Sequence, residues 1–173
     1  FISLLIAMSY ALMFALQIPL VPVAPYLKYD PSDVPTLVGS FIFGPLAGVT
    51  IAFVKAALFL MTKGTGGPVG SLQNFVASGT FALVAGLVYR RFKGKWGILA
   101  GLIAGGLAMT AVMIPVNYYW ALGAYGIPRA AHLELVRTAI TPFNLARGAL
   151  STALTFPVFL ALRKPLGKIV SHL

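Results

Sequence analysis

The chain lacks cysteine and has very few acidic residues. Its 173 residues include no Cys and only three Asp or Glu, against 13 Lys or Arg. No disulfide, thiolate nucleophile or cysteine-based metal site is therefore possible. Charged residues make up 9% of the chain, whereas soluble domains carry about 25%. So few charges cannot cover the surface of a water-soluble domain, and the composition argues against that class.

The catalytic side chains that most enzymes use are also scarce. The two histidines, His132 and His172, stand apart from each other and from any acid cluster. The glycine-rich stretch GTGGPVG at 64–70 is not followed by Gly-Lys-Ser/Thr, so it is not a P-loop. The sequence therefore predicts no catalytic residues, no metal site, no bound cofactor and no nucleotide chemistry in this chain.

Apolar residues dominate what remains. The chain is 59% hydrophobic, and its mean hydropathy is +0.91. Long apolar segments of this kind indicate membrane helices. We expect an all-α integral membrane protein, one domain over residues 1–173, built as a bundle of six transmembrane helices. The predicted spans are 1–20, 31–44, 45–62, 70–89, 96–121 and 141–162.

The basic residues predict the orientation of this bundle. Four cations lie in the stretch 90–95, and three more lie at 163–168, after the last span. With six spans, these two stretches and the N-terminus lie on the same side, which the positive-inside rule assigns to the cytoplasm. Both termini are therefore expected there. The charge of +10 is explained by membrane orientation, and no nucleic-acid partner is expected.

The segment ITPFNLARG at 140–148 places an amide and a permanent cation in an apolar helix. Thr141 is a candidate N-cap and Pro142 occupies the favoured first position. Asn144 and Arg147 would then lie within the first two turns, on one face of the helix. A cation there opposes the helix macrodipole, so Arg147 needs an electron-rich partner. The alternative is that Arg147 extends toward the lipid headgroups.

Other polar residues are predicted at the same depth. Asn117 lies near the outer end of the fifth span, Gln73 and Asn74 near that of the fourth, and Lys55 in the outer half of the third. A channel would need polar groups through the full membrane thickness, so we predict an outward-facing binding pocket. Structural roles remain open: an interhelical hydrogen bond for Asn117, helix capping for 73–74, and an ion pair with Asp33 or Asp30 for Lys55.

Two further features suggest movement and partners. Ser3, Ala7, Ala11 and Ala15 repeat every four residues and form a ridge of small side chains that lets another helix approach closely. That helix could be internal or belong to a partner. The proline-rich loop 21–33, which contains Tyr26 and Tyr29, is either a lid over the pocket or a plain connector.

Four blocks of the sequence resemble one family. They are LKYDPSDVPTLVGSFIFGPLAGVTIAFVKAALFL at 27–60, GPVGSLQNFVASGTF at 67–81, MTAVMIPVNYY at 109–119 and TPFNLARG at 141–148. Together they resemble the riboflavin-specific S-component of energy-coupling factor (ECF) transporters. The resemblance implies a vitamin-binding subunit of a prokaryotic cytoplasmic membrane. It would bind riboflavin from outside and associate with a transmembrane T-component and two cytoplasmic ATPases, which would hydrolyse the ATP.

The resemblance also implies roles for individual residues. The small-residue ridge that docks the T-component matches Ala7, Ala11 and Ala15, and the ligand-contacting asparagines match Asn117 and Asn144. Arg147 stands where the family pattern more often has Lys. The full set of expected substrate contacts is Leu27, Lys28, Tyr29, Lys55, Asn74, Asn117, Asn144 and Arg147.

Alternatives remain for both ligand and class. Riboflavin is the expected transported ligand, and FMN and flavin analogues are not separated from it by sequence. An S-component for another vitamin is a second possibility. A stand-alone secondary transporter is a third, although the scarcity of intramembrane acids leaves ion-driven transport little to work with.

Overall fold

The computed structural model describes residues 1–22, 24, 27–64 and 66–170, with side chains described as far as Arg163. Tyr26 of the predicted lid and the side chains of Lys164 and Lys168 lie outside this part. The elements, in chain order, are α1 Ile2–Ala15, β1 Ile18–Pro19, β2 Lys28–Tyr29, α2 Asp33–Phe43, α3 Pro45–Thr62, α4 Gly67–Arg91, α5 Lys95–Val116, a π-helical segment Asn117–Ala121, α6 Leu122–Ala124, α7 Arg129–Leu135, a second π-helical segment Val136–Ile140, and α8 Thr141–Val170.

Most of the residues lie in helices that are long enough to cross a bilayer. Within the described residues, four continuous helical stretches are long and apolar enough to cross a membrane, namely Pro45–Thr62, Gly67–Arg91, Lys95–Ala124 and Arg129–Arg163. Two shorter apolar helices, Ile2–Ala15 and Asp33–Phe43, accompany them. The chain is thus a multi-pass membrane protein. Large apolar side chains on the outside, such as Leu46 and Leu107, suit contact with lipid.

Close helix packing depends on glycine at two positions. A Cβ built on Gly101 would lie 2.7 Å from the carbonyl oxygen of Ala85, and one on Gly105 would lie 2.7 Å from that of Phe81. Both glycines belong to α5 and both carbonyls to α4, so these helices touch backbone to backbone. The face of α5 that carries Gly101 and Gly105 therefore packs inside the bundle. Around it, the core is apolar and includes Leu102 and Met109.

The first helix is shorter than the sequence suggested. We predicted a span to residue 20, but α1 ends at Ala15, and Leu16 is extended. The following residues form a small antiparallel hairpin in which Ile18 pairs with Tyr29 and Pro19 with Lys28. Hydropathy alone cannot separate an apolar strand from the end of an apolar helix, because both are rich in the same side chains.

The predicted start of the last helix is wrong. Thr141 has helical backbone angles (φ −65°, ψ −50°), and its N–H donates to the carbonyl of Val136, five residues back. A continuous helix therefore begins at Arg129 and passes through the π-helical segment. Proline has no N–H to donate and usually disrupts a helix interior, and the π-helical register just before Pro142 accommodates it here. Asn144 and Arg147 lie well inside a long helix, so Arg147 is not at the positive end of the helix macrodipole.

The two ends of the bundle differ in charge. One end gathers the C-terminal ends of α1 and α3, the N-terminal ends of α2 and α4, and the hairpin. This end also contains all three acids of the chain, Asp30, Asp33 and Glu134. The opposite end carries the turn 90–95 and Arg163, which are basic. A cavity opens at the acidic end.

Candidate functional site

The cavity has a volume of about 420 Å³, which lies in the range of small-molecule sites. It is enclosed by α1, the hairpin, α3, α4, the end of α5 and α8. Six of the eight residues predicted to contact substrate line it, namely Leu27, Lys28, Asn74, Asn117, Asn144 and Arg147. These residues are far apart in sequence, and the fold brings them to one cavity.

The other two predicted contacts, Tyr29 and Lys55, are not among the lining residues. Tyr29 belongs to strand β2 of the hairpin, and its side chain is buried next to Ser151 of α8. Burial raises the pKa of the Tyr29 phenol above its ordinary value, so the hydroxyl stays neutral. Lys55 is fully buried, and its ammonium donates to Asp33 at 3.1 Å and to Ser32 at 2.7 Å. Lys55 thus forms the ion pair with Asp33 that the sequence analysis gave as the alternative to a substrate contact.

The two asparagines are held in the same way. Each follows a proline by two residues, as Pro115-Val-Asn117 and Pro142-Phe-Asn144. Each Nδ2 donates at 2.8 Å to the carbonyl four residues back, on Met113 and Ile140 respectively. Tying the nitrogen to the main chain fixes the amide plane. Both asparagines are nearly completely buried yet line the cavity, so each amide is pre-oriented toward a ligand.

The two amides present different groups. Oδ1 of Asn117 accepts from Nε2 of Gln73 at 2.7 Å, and Oε1 of Gln73 accepts from the Tyr125 hydroxyl at 3.1 Å. Asn117 thus keeps one N–H for a ligand. Oδ1 of Asn144 makes no hydrogen bond to another described residue, so Asn144 offers a free acceptor as well as an N–H. The cavity wall is therefore complementary to a ligand edge on which hydrogen-bond acceptors and donors alternate.

Arg147 does not extend to the lipid headgroups. Its Nε donates to Oδ2 of Asp33 at 2.8 Å and its Nη2 to Oδ1 at 3.0 Å, a bidentate ion pair. Nη2 also donates to the Ser78 hydroxyl at 2.8 Å. That hydroxyl donates to Asp33 at 2.6 Å. The partner of Arg147 is thus a carboxylate of the protein and not a lipid headgroup.

Asp33 is the centre of a buried network that joins four helices. It lies at the start of α2 and receives Lys55 from α3, Ser78 from α4 and Arg147 from α8. Asp33, Lys55 and Arg147 are each at most 5% exposed. Buried charges persist only when they are paired and hydrogen-bonded, and each of these is. The network fixes the cavity-facing end of the bundle.

The ion pair leaves one edge of Arg147 for the cavity. Nε and Nη2 are used by Asp33 and Ser78, whereas Nη1 makes no hydrogen bond to another described residue. Arg147 lines the cavity, and Asn144 lies one turn away on the same helix. Nη1 therefore supplies donors beside the free acceptor of Asn144. Only a guanidinium can make a bidentate pair and still present a further nitrogen.

Several lining residues were missed at the sequence level. The polar ones are Gln17, Asp30, Gln73 and Tyr125, and the apolar ones include Met13, Phe59, Met113 and Leu122. Gln73 was recognised as polar at the depth of the pocket, with helix capping as the alternative, but it was not among the expected substrate contacts. The apolar residues carry no signal, because a Met or Phe that faces a cavity looks the same in sequence as one that faces lipid.

The small residues of α1 form a separate surface. Ser3, Ala7, Ala11 and Ala15 are all exposed, whereas the opposite face of α1 buries Ser9 and Met13 against α2 and α3. The ridge is therefore not used for packing within the described part of the chain. The cavity and the ridge share one helix, because Met13 and Gln17 at its end line the cavity.

Fold and cavity together define a multi-pass membrane protein with a cavity lined by polar side chains at one end. The family model for the substrate-specific component of ECF transporters matches residues 1–159. The chain belongs to this family. This confirms the family resemblance seen in the four sequence blocks.

Individual relatives cover nearly the whole chain. The riboflavin transporter FmnP of Bacillus subtilis (strain 168) is 32% identical over 171 residues, which are 94% of this chain and 90% of that protein. The riboflavin transporter RibU of Staphylococcus aureus (strain TCH60) is 35% identical over 154 residues, 85% of this chain and 80% of that protein. A solved structure of the S component of a bacterial ECF transporter superposes with a TM-score of 0.79 at 35% identity, covering 98% of this chain and 94% of that one.

Proposed function

We propose that this chain is the riboflavin-binding S-component of an ECF uptake transporter. It would lie in the cytoplasmic membrane of a prokaryote with six membrane-embedded helices, both termini in the cytoplasm and the cavity open to the outside. The four cations at 90–95 support this orientation by the positive-inside rule. The names of the relatives support riboflavin as the ligand. No enzymatic activity and no resident cofactor are proposed, and ATP hydrolysis would belong to partner subunits.

The observation that carries the proposal is the donor and acceptor pattern of the cavity wall. The isoalloxazine ring of riboflavin is flat and has a uracil-like edge, with an N–H between two carbonyls. We propose that Oδ1 of Asn144 accepts from this N–H, and that Nη1 of Arg147 and Nδ2 of Asn117 donate to the carbonyls. A site with matched buried polar groups rejects ligands that leave them unpaired, which favours a flavin over vitamins without such an edge.

The rest of the cavity suits the rest of the vitamin. Apolar side chains such as Met13, Phe59 and Leu122 can contact the two faces of the ring. The ribityl hydroxyls need polar partners, and Lys28 and Asn74 are proposed for them. Lys55 and Tyr29 would act indirectly, by supporting Asp33 and the hairpin. Loop 21–33, of which Leu27 and Lys28 line the cavity, is proposed as the lid.

Competition between vitamins tests the ligand assignment. Bound riboflavin should be displaced by unlabelled riboflavin and by analogues that keep the uracil-like edge, but not by thiamine or biotin. Displacement by thiamine or biotin at comparable concentrations would favour an S-component for another vitamin. Riboflavin uptake into vesicles that contain this chain alone would instead favour a stand-alone transporter.

Replacing Arg147 by lysine tests the divided use of the guanidinium. A lysine ammonium cannot pair with Asp33 through two nitrogens and also reach the ligand, so we expect riboflavin affinity to fall by roughly tenfold, the value of one hydrogen bond to a charged group. Fluorescence titration measures this. Arg137→Lys, at an exposed arginine, is the matched control and should bind as wild type. Unchanged affinity in Arg147→Lys would show that Nη1 does not contact the ligand.

Replacing Ala11 by tryptophan tests the ridge as the docking surface for the T-component. Ala11 is exposed, so the larger side chain should leave the fold and riboflavin binding intact but keep a partner helix at a distance. We expect uptake by the assembled transporter to be lost. Leu107→Trp, on the lipid-exposed surface of α5 and away from the ridge, controls for the bulk of the indole. Lost riboflavin binding in Ala11→Trp would show that the ridge packs internally.

A further inference from the structure

The turn between α4 and α5, here called the basic turn and comprising residues 90–96, has no role in the proposed site. Its sequence is RRFKGKW, with four cations and no acid in seven residues. No salt bridge is formed by these cations within the described residues. Four adjacent like charges repel one another, so the turn is expected to need an anionic partner from outside the chain.

Aromatic rings lie beside three of the four cations of the basic turn. Phe92 is 59% exposed and Trp96 is 72% exposed, values typical of rings in contact with lipid or a partner. Three cation–ring contacts occur, with Arg91 5.6 Å from the Phe92 centroid, Lys93 4.8 Å from that of Tyr89, and Lys95 5.4 Å from that of Trp96. Tryptophan beside lysine or arginine is the composition of a membrane–water interface.

The position of the basic turn agrees with that interface. It lies at the end of α4 opposite Gln73 and Asn74, which reach the cavity. At about 1.5 Å per residue, the stretch from Asn74 to Arg91 spans roughly 25 Å, close to the thickness of a hydrocarbon core. Lys95 is the first residue of α5, where no acidic residue and no side-chain cap offset the helix dipole. An anion is favoured there.

We propose that the basic turn is a binding surface for anionic phospholipid headgroups of the leaflet opposite the cavity. Phosphate oxygens would accept hydrogen bonds from the lysines and arginines, while Phe92 and Trp96 lie at the level of the headgroups. Each cation near an anionic membrane surface strengthens association by roughly fivefold. The partner is a lipid surface because the cations and the exposed rings are interleaved, whereas a free anion would gain nothing from the rings.

The test compares charge removal at the two ends of the molecule. Wild type, Lys93→Gln/Lys95→Gln and the control Arg129→Gln/Arg137→Gln are reconstituted in nanodiscs of phosphatidylcholine with a minor share of phosphatidylglycerol. The control removes two exposed cations at the cavity end, one of which also lies over an aromatic ring. Native mass spectrometry of released protein then counts the retained phosphatidylglycerol, and circular dichroism verifies the fold.

We expect phosphatidylglycerol to be enriched on wild type and on the control variant. On Lys93→Gln/Lys95→Gln the enrichment should fall by roughly tenfold or more. Equal enrichment on all three proteins would overturn the proposal. The proposal would also be overturned if inorganic phosphate, added to the protein in phosphatidylcholine alone, raised the unfolding midpoint as much as phosphatidylglycerol does. The turn would then be a site for free anions.

Discussion

Replacing Asp33 by alanine should destabilise the protein more than any other single substitution in the site. The change removes the only carboxylate of the described network and leaves Arg147 and Lys55 buried without their counter-ion. Breaking a buried ion pair from one side costs about 3–5 kcal/mol. We expect a clearly lowered midpoint of thermal unfolding in detergent, and loss of riboflavin binding because Arg147 and the start of α2 lose their position.

Glu134→Gln is the control for Asp33→Ala. Glu134 is exposed and lies at the same end of the bundle, so its neutralisation should change the unfolding midpoint little. If Asp33→Ala unfolds at the wild-type temperature and binds riboflavin as wild type does, the network is not what organises the site. Partial recovery in Asp33→Ala/Arg147→Met, which also removes the main buried cation, would support the electrostatic explanation over a simple loss of packing.

Replacing Asn144 by leucine should weaken riboflavin binding without unfolding the chain. Leucine has the same branching and the same number of side-chain heavy atoms but offers no acceptor and no donor, so the ring N–H would be desolvated and unpaired. An unsatisfied buried polar group costs about 1–3 kcal/mol, which corresponds to roughly 5- to 150-fold in affinity. The measurement is a fluorescence titration beside a thermal melt.

Ala149→Leu is the matched control for Asn144→Leu. It places an isobutyl side chain on the same helix at an exposed position, and it should bind riboflavin as wild type. Wild-type affinity in Asn144→Leu would place the ring elsewhere in the cavity. If Asn144→Leu does not fold, Asn144→Ala removes the same acceptor and donor without a larger side chain, and weaker riboflavin binding is again expected.

The sequence predicted best the membrane helices and the polar residues that lie within them. An amide or a cation in an apolar helix is costly, so Asn117, Asn144 and Arg147 had to face either a cavity or a partner. The structure places all three at one cavity. The membrane helices followed from apolar length, and most of their limits differ from the prediction by a few residues. The family resemblance came from long sequence blocks in the same order.

Long-range pairing and helix register could not be predicted. Asp33 and Arg147 are separated by 114 residues, and nothing local indicates that they meet. The π-helical segment at 136–140 hides the start of the last helix, because a Thr-Pro pair resembles an N-terminus wherever it occurs. The charge of Arg147 is largely compensated by Asp33 of the protein itself.

The most direct test of the account is a riboflavin titration of the purified chain without any partner subunit. Riboflavin is fluorescent, and its emission should be quenched when the ring enters a cavity lined by Tyr125, because a phenol can transfer an electron to the excited flavin. The account predicts saturable quenching with one riboflavin per chain at or below micromolar concentration. Absence of quenching at micromolar riboflavin, with a folded protein by circular dichroism, would contradict it.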